Sequence, residues 1–394
     1  MITGNTLTLA QLAATAAAIR LTHLAHRYMP RAGLSVPVVT ALDRNGRVLQ
    51  EDQRAVVRYA IQGGAGADII FASGTTGEWN RLDNPRRQLV ARIAVEECRK
   101  LARNGKELEV WVGITAHTLA DTLENLAHAI EIGADGVVAA PLSIADANDP
   151  VAFLARDIGN IFDRMGRVLP VFLYDNADIA AAGRSPHLRT RDVKKMSQLS
   201  YVRGVKVTST RAVLDNYMRA ASHFGGKGEF GIYPGNAYLM FDLFMPPSGF
   251  AGHMRHYWNR YLVQNKLPHG VVAGASNVMP REWQRAWQVC SGGDRPLMER
   301  YGRPLEDFRD ACEFTRGGKP IHATIACLKT ALREIGVCSS DAVAPGTPAL
   351  EAAERREFLR RFKAIRRRAA ATVEPEWLSE WQARRPAHTP VSVG

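Results

Sequence analysis

Three short stretches carry residues whose chemistry a buried core would not select. Lys206 lies near the end of the apolar segment Tyr201-Val-Arg-Gly-Val-Lys-Val-Thr208, Tyr174 closes the run Val168–Tyr174, and Ser73-Gly-Thr-Thr-Gly-Glu78 follows a third apolar run. Burial in a low dielectric disfavours an ammonium ion, and only a neutral amine attacks a ketone. The protonated Schiff base that results is an electron sink, so carbon–carbon cleavage, carbon–carbon formation or loss of water becomes accessible without a metal. The glycines Gly74 and Gly77 permit close backbone approach, and the hydroxyls of Thr75 and Thr76 with neighbouring N–H groups suit a carboxylate. A phenol at position 174 suits proton transfer. Taken singly, each has a plainer reading: a lysine stem reaching solvent, a half-buried tyrosine, a tight loop. Their joint occurrence at three strand ends points to a Schiff-base site for a 2-oxo acid.

Such a site needs a scaffold that brings strand ends together. From Val36 onward, β-branched or apolar runs alternate with segments of helical periodicity, the pattern of a parallel sheet with crossover helices. Strands are expected near Val36–Ala41, Asp68–Ala72, Glu109–Ile114, Gly136–Ala140, Val168–Tyr174, Val202–Val207, Glu229–Tyr233 and Gly270–Ala275. Eight β/α units predict an α/β fold, a (β/α)8 TIM barrel with a C-terminal helical domain, whose active groups gather at the C-terminal strand ends. The expected organisation is an N-terminal extension over 1–34, a barrel over 35–291 with an insertion at about 245–269, a helical domain over 292–371 and a tail over 372–394. Helices are expected over Ile321–Ile335 and Ala349–Ala370 in the helical domain.

Composition narrows the setting. The chain has 394 residues, 46% of them hydrophobic, enough for one large core. No apolar run reaches the roughly 20 residues needed to span a bilayer, so no membrane association is expected. Five scattered cysteines without a CxxC pair point to reduced thiols and a cytoplasmic setting. His253 and His256 lack a carboxylate partner nearby, so neither a metal nor another cofactor is expected. The net charge of +12 is concentrated late, in Arg355, Arg356, Arg360, Arg361, Lys363, Arg366, Arg367 and Arg368. Because Phe358, Leu359, Phe362 and Ile365 recur at helical spacing, the favoured reading is a solvated helix face, and nucleic acid is not the expected partner. Residues 1–42 hold no acid and read as a packed helix or a transit segment.

The sequence resembles the dihydrodipicolinate synthase and N-acetylneuraminate lyase family of pyruvate-dependent class I aldolases. The resemblance runs through Val39-Thr-Ala-Leu-Asp43, Gly74-Thr-Thr-Gly-Glu78, Tyr174, Gly204-Val-Lys206, Gly235-Asn-Ala237, Gly274-Ala-Ser-Asn277 and Lys319-Pro-Ile-His-Ala323. It implies a Schiff-base lysine at Lys206, a proton-transfer phenol at Tyr174, a relay hydroxyl at Thr75 and a carboxylate contact at Thr76. Gly235 and Ser276 would lie around the mouth, the substrate would be a small 2-oxo acid, and a homodimer or homotetramer is implied. Two departures stand out. Where the synthase has a relay tyrosine after the fourth strand, this chain has Ala140-Pro-Leu-Ser-Ile144, and where it has an arginine after the strand-five tyrosine, this chain has Asp178. An acid there repels a second carboxylate-bearing substrate, which favours cleavage or dehydration of a 2-oxo acid over synthase-type condensation. A non-catalytic homologue is the remaining alternative.

Overall fold

The computed structural model describes residues 28–102, 107–225, 229–245, 247, 249–258, 267–377 and 379. Eight strands form one sheet: β1 Gly33–Pro37, β2 Ile69–Ala72, β3 Glu109–Gly113, β4 Gly136–Ala139, β5 Val171–Asn176, β6 Val202–Thr208, β7 Gly231–Pro234 and β8 Gly270–Val272. From β1 to β7 each pairs in parallel with the next, β1 also pairs with β8, and a bond from the His269 amide to the Ile232 carbonyl at 3.0 Å brings β8 towards β7. The expected barrel is therefore present. Its first strand starts three residues earlier than expected, and β5 continues through Asp175 and Asn176.

Two concentric apolar layers hold the barrel. The outer one joins the strands to the surrounding helices, from Leu34 and Val36 through Ile161 and Leu173 to Trp283. The inner one consists of Ile69, Phe71, Trp111, Val138, Ala140, Phe172, Tyr174, Tyr233 and Val272. Trp111 and Phe172 stack with centroids 3.9 Å apart, and Tyr233 meets both edge-on at 5.0 and 5.7 Å. At the N-terminal end Tyr28 packs on Phe172 and donates to Glu109 at 2.8 Å, while Glu109 also accepts from the Trp111 indole at 2.9 Å. Aromatic side chains thus fill the lower barrel, as the packed interior of a parallel barrel requires, and leave its C-terminal mouth for chemistry.

After β8 come helices Pro280–Gly292 and Arg295–Ala311, then a hairpin the sequence reading missed, β9 Glu313–Arg316 with β10 Lys319–His322. Its two-residue turn is Gly317-Gly318, both at positive φ (55° and 76°), which glycine adopts at little cost. The hairpin delays the next helix from Ile321 to Thr324, giving Thr324–Glu334. The basic helix, Ala352–Thr372, buries Phe358, Phe362, Ile365 and Ala369. Several of its cations pair with acids: Arg355 with Asp341, Arg360 with Glu357, Lys363 with Glu334 and Arg368 with Asp307.

Within the expected insertion, a helix Gly249–Tyr257 leaves Phe250, Met254 and Tyr257 exposed, as is Trp258 just after it. His253 is hydrogen-bonded to the Gly249 carbonyl, and the His256 side chain lies outside the described residues. The segment 1–27 and most of the tail over 372–394 also lie outside them. Among the described residues no group of three or more His, Cys, Asp or Glu side chains gathers, and no helix is long and apolar enough to cross a membrane.

Candidate active site

Strand pairing places the two central residues side by side. A register shift at Val171/Phe172 brings Phe172 opposite Gly204 and thereby Tyr174 opposite Lys206. Gly204 is required at this pairing, because a β-carbon there would lie 2.9 Å from the Phe172 ring and 2.6 Å from the Gly231 carbonyl oxygen. Both side chains are buried, and the Lys206 amine lies 3.7 Å from the centroid of the Tyr174 ring and 5.1 Å from that of Phe71.

The Gly74–Glu78 turn is built by its own backbone and by distant anchors. Ser73 and Glu78 adopt left-handed conformations on either side of a 3-10 turn Thr75–Gly77. Thr40, from the loop after β1, donates to the Gly77 carbonyl at 2.7 Å, and the Ser73 hydroxyl donates to the Arg87 carbonyl at 3.1 Å. Held this way, the Thr75 hydroxyl is 3.2 Å from the Tyr174 phenol. Two further groups reach that phenol: the Asn176 amide donates at 3.1 Å and the Thr208 hydroxyl at 3.4 Å. Burial alone would raise the phenol's pKa. The Lys206 charge and the hydrogen bonds with Thr208 and Thr75 outweigh burial and hold Tyr174 below the ordinary tyrosine value.

The other expected site residues are distributed unevenly. Gly235 follows β7 directly against the lysine: a β-carbon there would lie 3.1 Å from Lys206 Cε and 1.9 Å from Thr208 Oγ1. The Thr76 side chain stands across from Gly274, 3.4 Å from where a β-carbon would project. Gly74 packs over Phe71, and Gly77 packs beside Val38 and Thr40. Ser276 is fully buried and donates to the Ala273 carbonyl. Asp178 is exposed, with its backbone amide donating to the capping Asn176 Oδ1 at 3.1 Å.

Two residues adjacent in sequence to the site, Asp175 and Trp79, are structural. Asp175 is buried and accepts from Tyr217 at 2.7 Å, His187 at 3.1 Å and the Leu188 amide at 3.2 Å, on the strand face opposite Tyr174. Trp79 is 4% exposed, with its ring against His117 and under the Arg87 guanidinium.

Sequence reading missed two participants. Thr208 sits two residues beyond Lys206, on the same strand face, so period-two counting alone would have found it. Lys329 is the other. It is buried, pairs with the buried Glu78 of the turn and donates to the Ala342 carbonyl at 2.9 Å, while the Ala344 amide donates to Glu78 at 2.7 Å. Its signal was a cation amid the buried stripe Ala326–Leu332 of an amphipathic helix.

An amine, a phenol and a hydroxyl turn gathered at the open end of a parallel barrel define a class I, Schiff-base lyase or aldolase. The chain belongs to the dihydrodipicolinate synthetase family, whose model matches residues 30–235. It is 24% identical over 319 residues to a 4-hydroxy-tetrahydrodipicolinate synthase of Phenylobacterium zucineum, covering 81% of this chain and 92% of that protein. Its fold is similar to the sialic acid aldolase of Ruminococcus gnavus, with a TM-score of 0.68, 16% identity, and 87% of this chain and 99% of that one covered. YagE of Escherichia coli K12, a prophage protein of the dihydrodipicolinic acid synthase family solved in complex with pyruvate, superposes with a TM-score of 0.65 at 19% identity, covering 85% and 99% of the two chains.

Proposed function

We propose that this enzyme anchors pyruvate, or a 2-oxo acid derived from it, as a Schiff base on Lys206 and cleaves or dehydrates the adduct. The observation that carries the reading is the contact of Lys206 with Tyr174 and of Tyr174 with Thr75, at the C-terminal strand ends of the barrel. The Lys206 amine adds to the ketone, and loss of water gives the iminium. Breaking the C3–C4 bond, or removing a C3 proton, sends its electron pair to the iminium nitrogen as an enamine. In cleavage the C4 hydroxyl gives up its proton, C4 leaves as an aldehyde and the enamine is protonated at C3; in dehydration the enamine instead expels the C4 hydroxyl as water; hydrolysis then frees the 2-oxo acid and the amine. Tyr174 moves the protons, Thr75 relays them, and Thr76 with Gly74 and Gly77 holds the carboxylate. Gly235 leaves room for the lysine stem and Asp178 bounds the mouth, while the buried Ser276 is held by the Ala273 carbonyl.

The exposed carboxylate of Asp178 disfavours a second substrate that carries its own carboxylate, which supports cleavage or dehydration. The synthase name of the Phenylobacterium relative keeps condensation as the second reading. Association as a homodimer or homotetramer in a cytoplasmic setting accords with the family resemblance. Borohydride reduction with pyruvate, followed by peptide mass spectrometry, is expected to place a reduced adduct on Lys206 and none on Lys206→Ala. An unmodified Lys206 in folded protein overturns the reading. Product profiling with hydroxylated 2-oxo acids and with aldehyde acceptors separates cleavage from condensation.

A further inference from the structure

We propose that Asn176 is a positioning residue for proton transfer: it presents a donor to the Tyr174 oxygen, so that the phenol's single proton points at Thr75 and the proton path runs inside one subunit. This inference rests on the Schiff-base reading above and deepens it.

The orientation of Asn176 is not free. The Asp178 backbone N–H can only donate, and it lies 3.1 Å from Asn176 Oδ1. The amide group of Asn176 is therefore turned the other way, and its Nδ2 meets the phenol at 3.1 Å as a donor. Tyr174 and Asn176 are two residues apart on β5, which puts both side chains on the barrel's inner face. The Thr208 hydroxyl supplies a second donor at 3.4 Å. A phenol oxygen has two acceptor positions, and these two donors occupy them. Its own O–H is left with one partner, Thr75 at 3.2 Å, and the half-buried Thr75 hydroxyl in turn is free to donate towards the mouth. When the proton leaves, Thr75 can reverse and donate, so the phenolate keeps three donors beside the Lys206 cation. Both protonation states of Tyr174 are thus fully hydrogen-bonded, which suits a group that must cycle between them.

The competing role for Asn176 is purely structural. Its Oδ1 caps the turn Ala177–Ile179, and that cap needs only an oxygen, which aspartate supplies equally well. Asn176→Asp therefore separates the two roles, because it keeps the cap and turns an acceptor towards the phenol. In the variant the phenol's proton is drawn to the carboxylate and away from Thr75, and the added charge opposes ionisation of Tyr174.

The test is exchange of the pyruvate methyl protons in deuterated water, followed by NMR across pH, alongside borohydride trapping on Lys206. Asn176→Asp is expected to trap pyruvate like the parent, yet to exchange about tenfold or more slowly. Its rise of rate with pH is expected to move upward by about one unit or more. Trapping with an unchanged exchange profile overturns the proposal. Should Asn176→Asp fail to fold by circular dichroism, Asn176→Ser, which retains a capping oxygen and loses the amide donor, is expected to move the profile in the same direction, and an unmoved profile again overturns it. Near-ultraviolet phenolate titration, taken as the difference from Tyr174→Phe in each background, needs no substrate. It isolates a failure of the Schiff-base reading from a failure of this one: an upward shift of the Tyr174 titration in Asn176→Asp supports the assignment even where the parent traps nothing, and an unshifted titration overturns it.

Discussion

A single methyl group separates an open from a blocked lysine in this barrel. At Gly235 a β-carbon would fall 1.9 Å from the Thr208 hydroxyl and 3.1 Å from Lys206 Cε, so one or both side chains would have to move. Gly235→Ala is therefore expected to lower turnover by about 100-fold through misplacement of the amine, with a loss of stability of about 1–3 kcal/mol from the overlap. Steady-state kinetics beside a thermal melt checks it; near-parental turnover would mean that the lysine stem tolerates displacement. At the same scale, strand geometry keeps Asp175 out of the site. It precedes Asn176 and follows Tyr174, so β5 turns it outward to Tyr217 and His187.

The Gly74–Glu78 turn depends on an element more than two hundred residues downstream. Lys329 of helix Thr324–Glu334 and Glu78 form a fully buried pair, and burial lowers the Lys329 pKa while Glu78 opposes that shift. Removing one partner strands the other's charge in a low dielectric, at a cost of about 3–5 kcal/mol, whereas replacing both is far milder. Lys329→Met is expected to lose stability of that order together with activity, because Thr75 and Thr76 ride on the same turn. The double variant Glu78→Gln, Lys329→Met is expected to recover most of the stability. Urea unfolding of both variants decides it, and a single variant as stable as the parent would show that the pair does not brace the turn. Helices and strands of the barrel were legible because each alternates or repeats with its own period. The hairpin Glu313–His322 carried a Gly-Gly turn signal and was missed, and its last two residues were read as the start of the next helix, since Ile321 fits the apolar stripe of that helix.

At the scale of the whole molecule, the C-terminal helices are clasped to the barrel's last helix through Glu374. Its carboxylate accepts from Arg285 at 3.0 and 3.1 Å and from Tyr301 at 2.7 Å. Burial opposes ionisation, but those donors prevail and hold Glu374 at about 2. A carboxyl depressed in the folded state contributes stability that is fully present above its ordinary pKa and is lost as pH falls towards about 2. Screening at this partly exposed site reduces the contribution to about 1 kcal/mol. Thermal melts of Glu374→Gln are expected to fall below the parent by about that amount at neutral pH and to converge with it in acid. A constant gap across pH would assign the loss to packing.

Residue types and their periods were enough to count eight β/α units, to place Lys206, Tyr174 and the Thr75/Thr76 turn at strand ends, and to name Schiff-base chemistry, because strand periodicity and reactive functional groups are local properties. Which of those groups touch is not local. Thr75 and Tyr174 meet across 99 residues and Glu78 and Lys329 across 251, through barrel closure and a register shift that no window of sequence contains. Hydrogen-bond direction at the phenol, the outward turn of Asp175 and the burial of Trp79 likewise follow from packing between distant segments. The chemistry could be read along the chain, while its geometry arose only when the chain closed on itself.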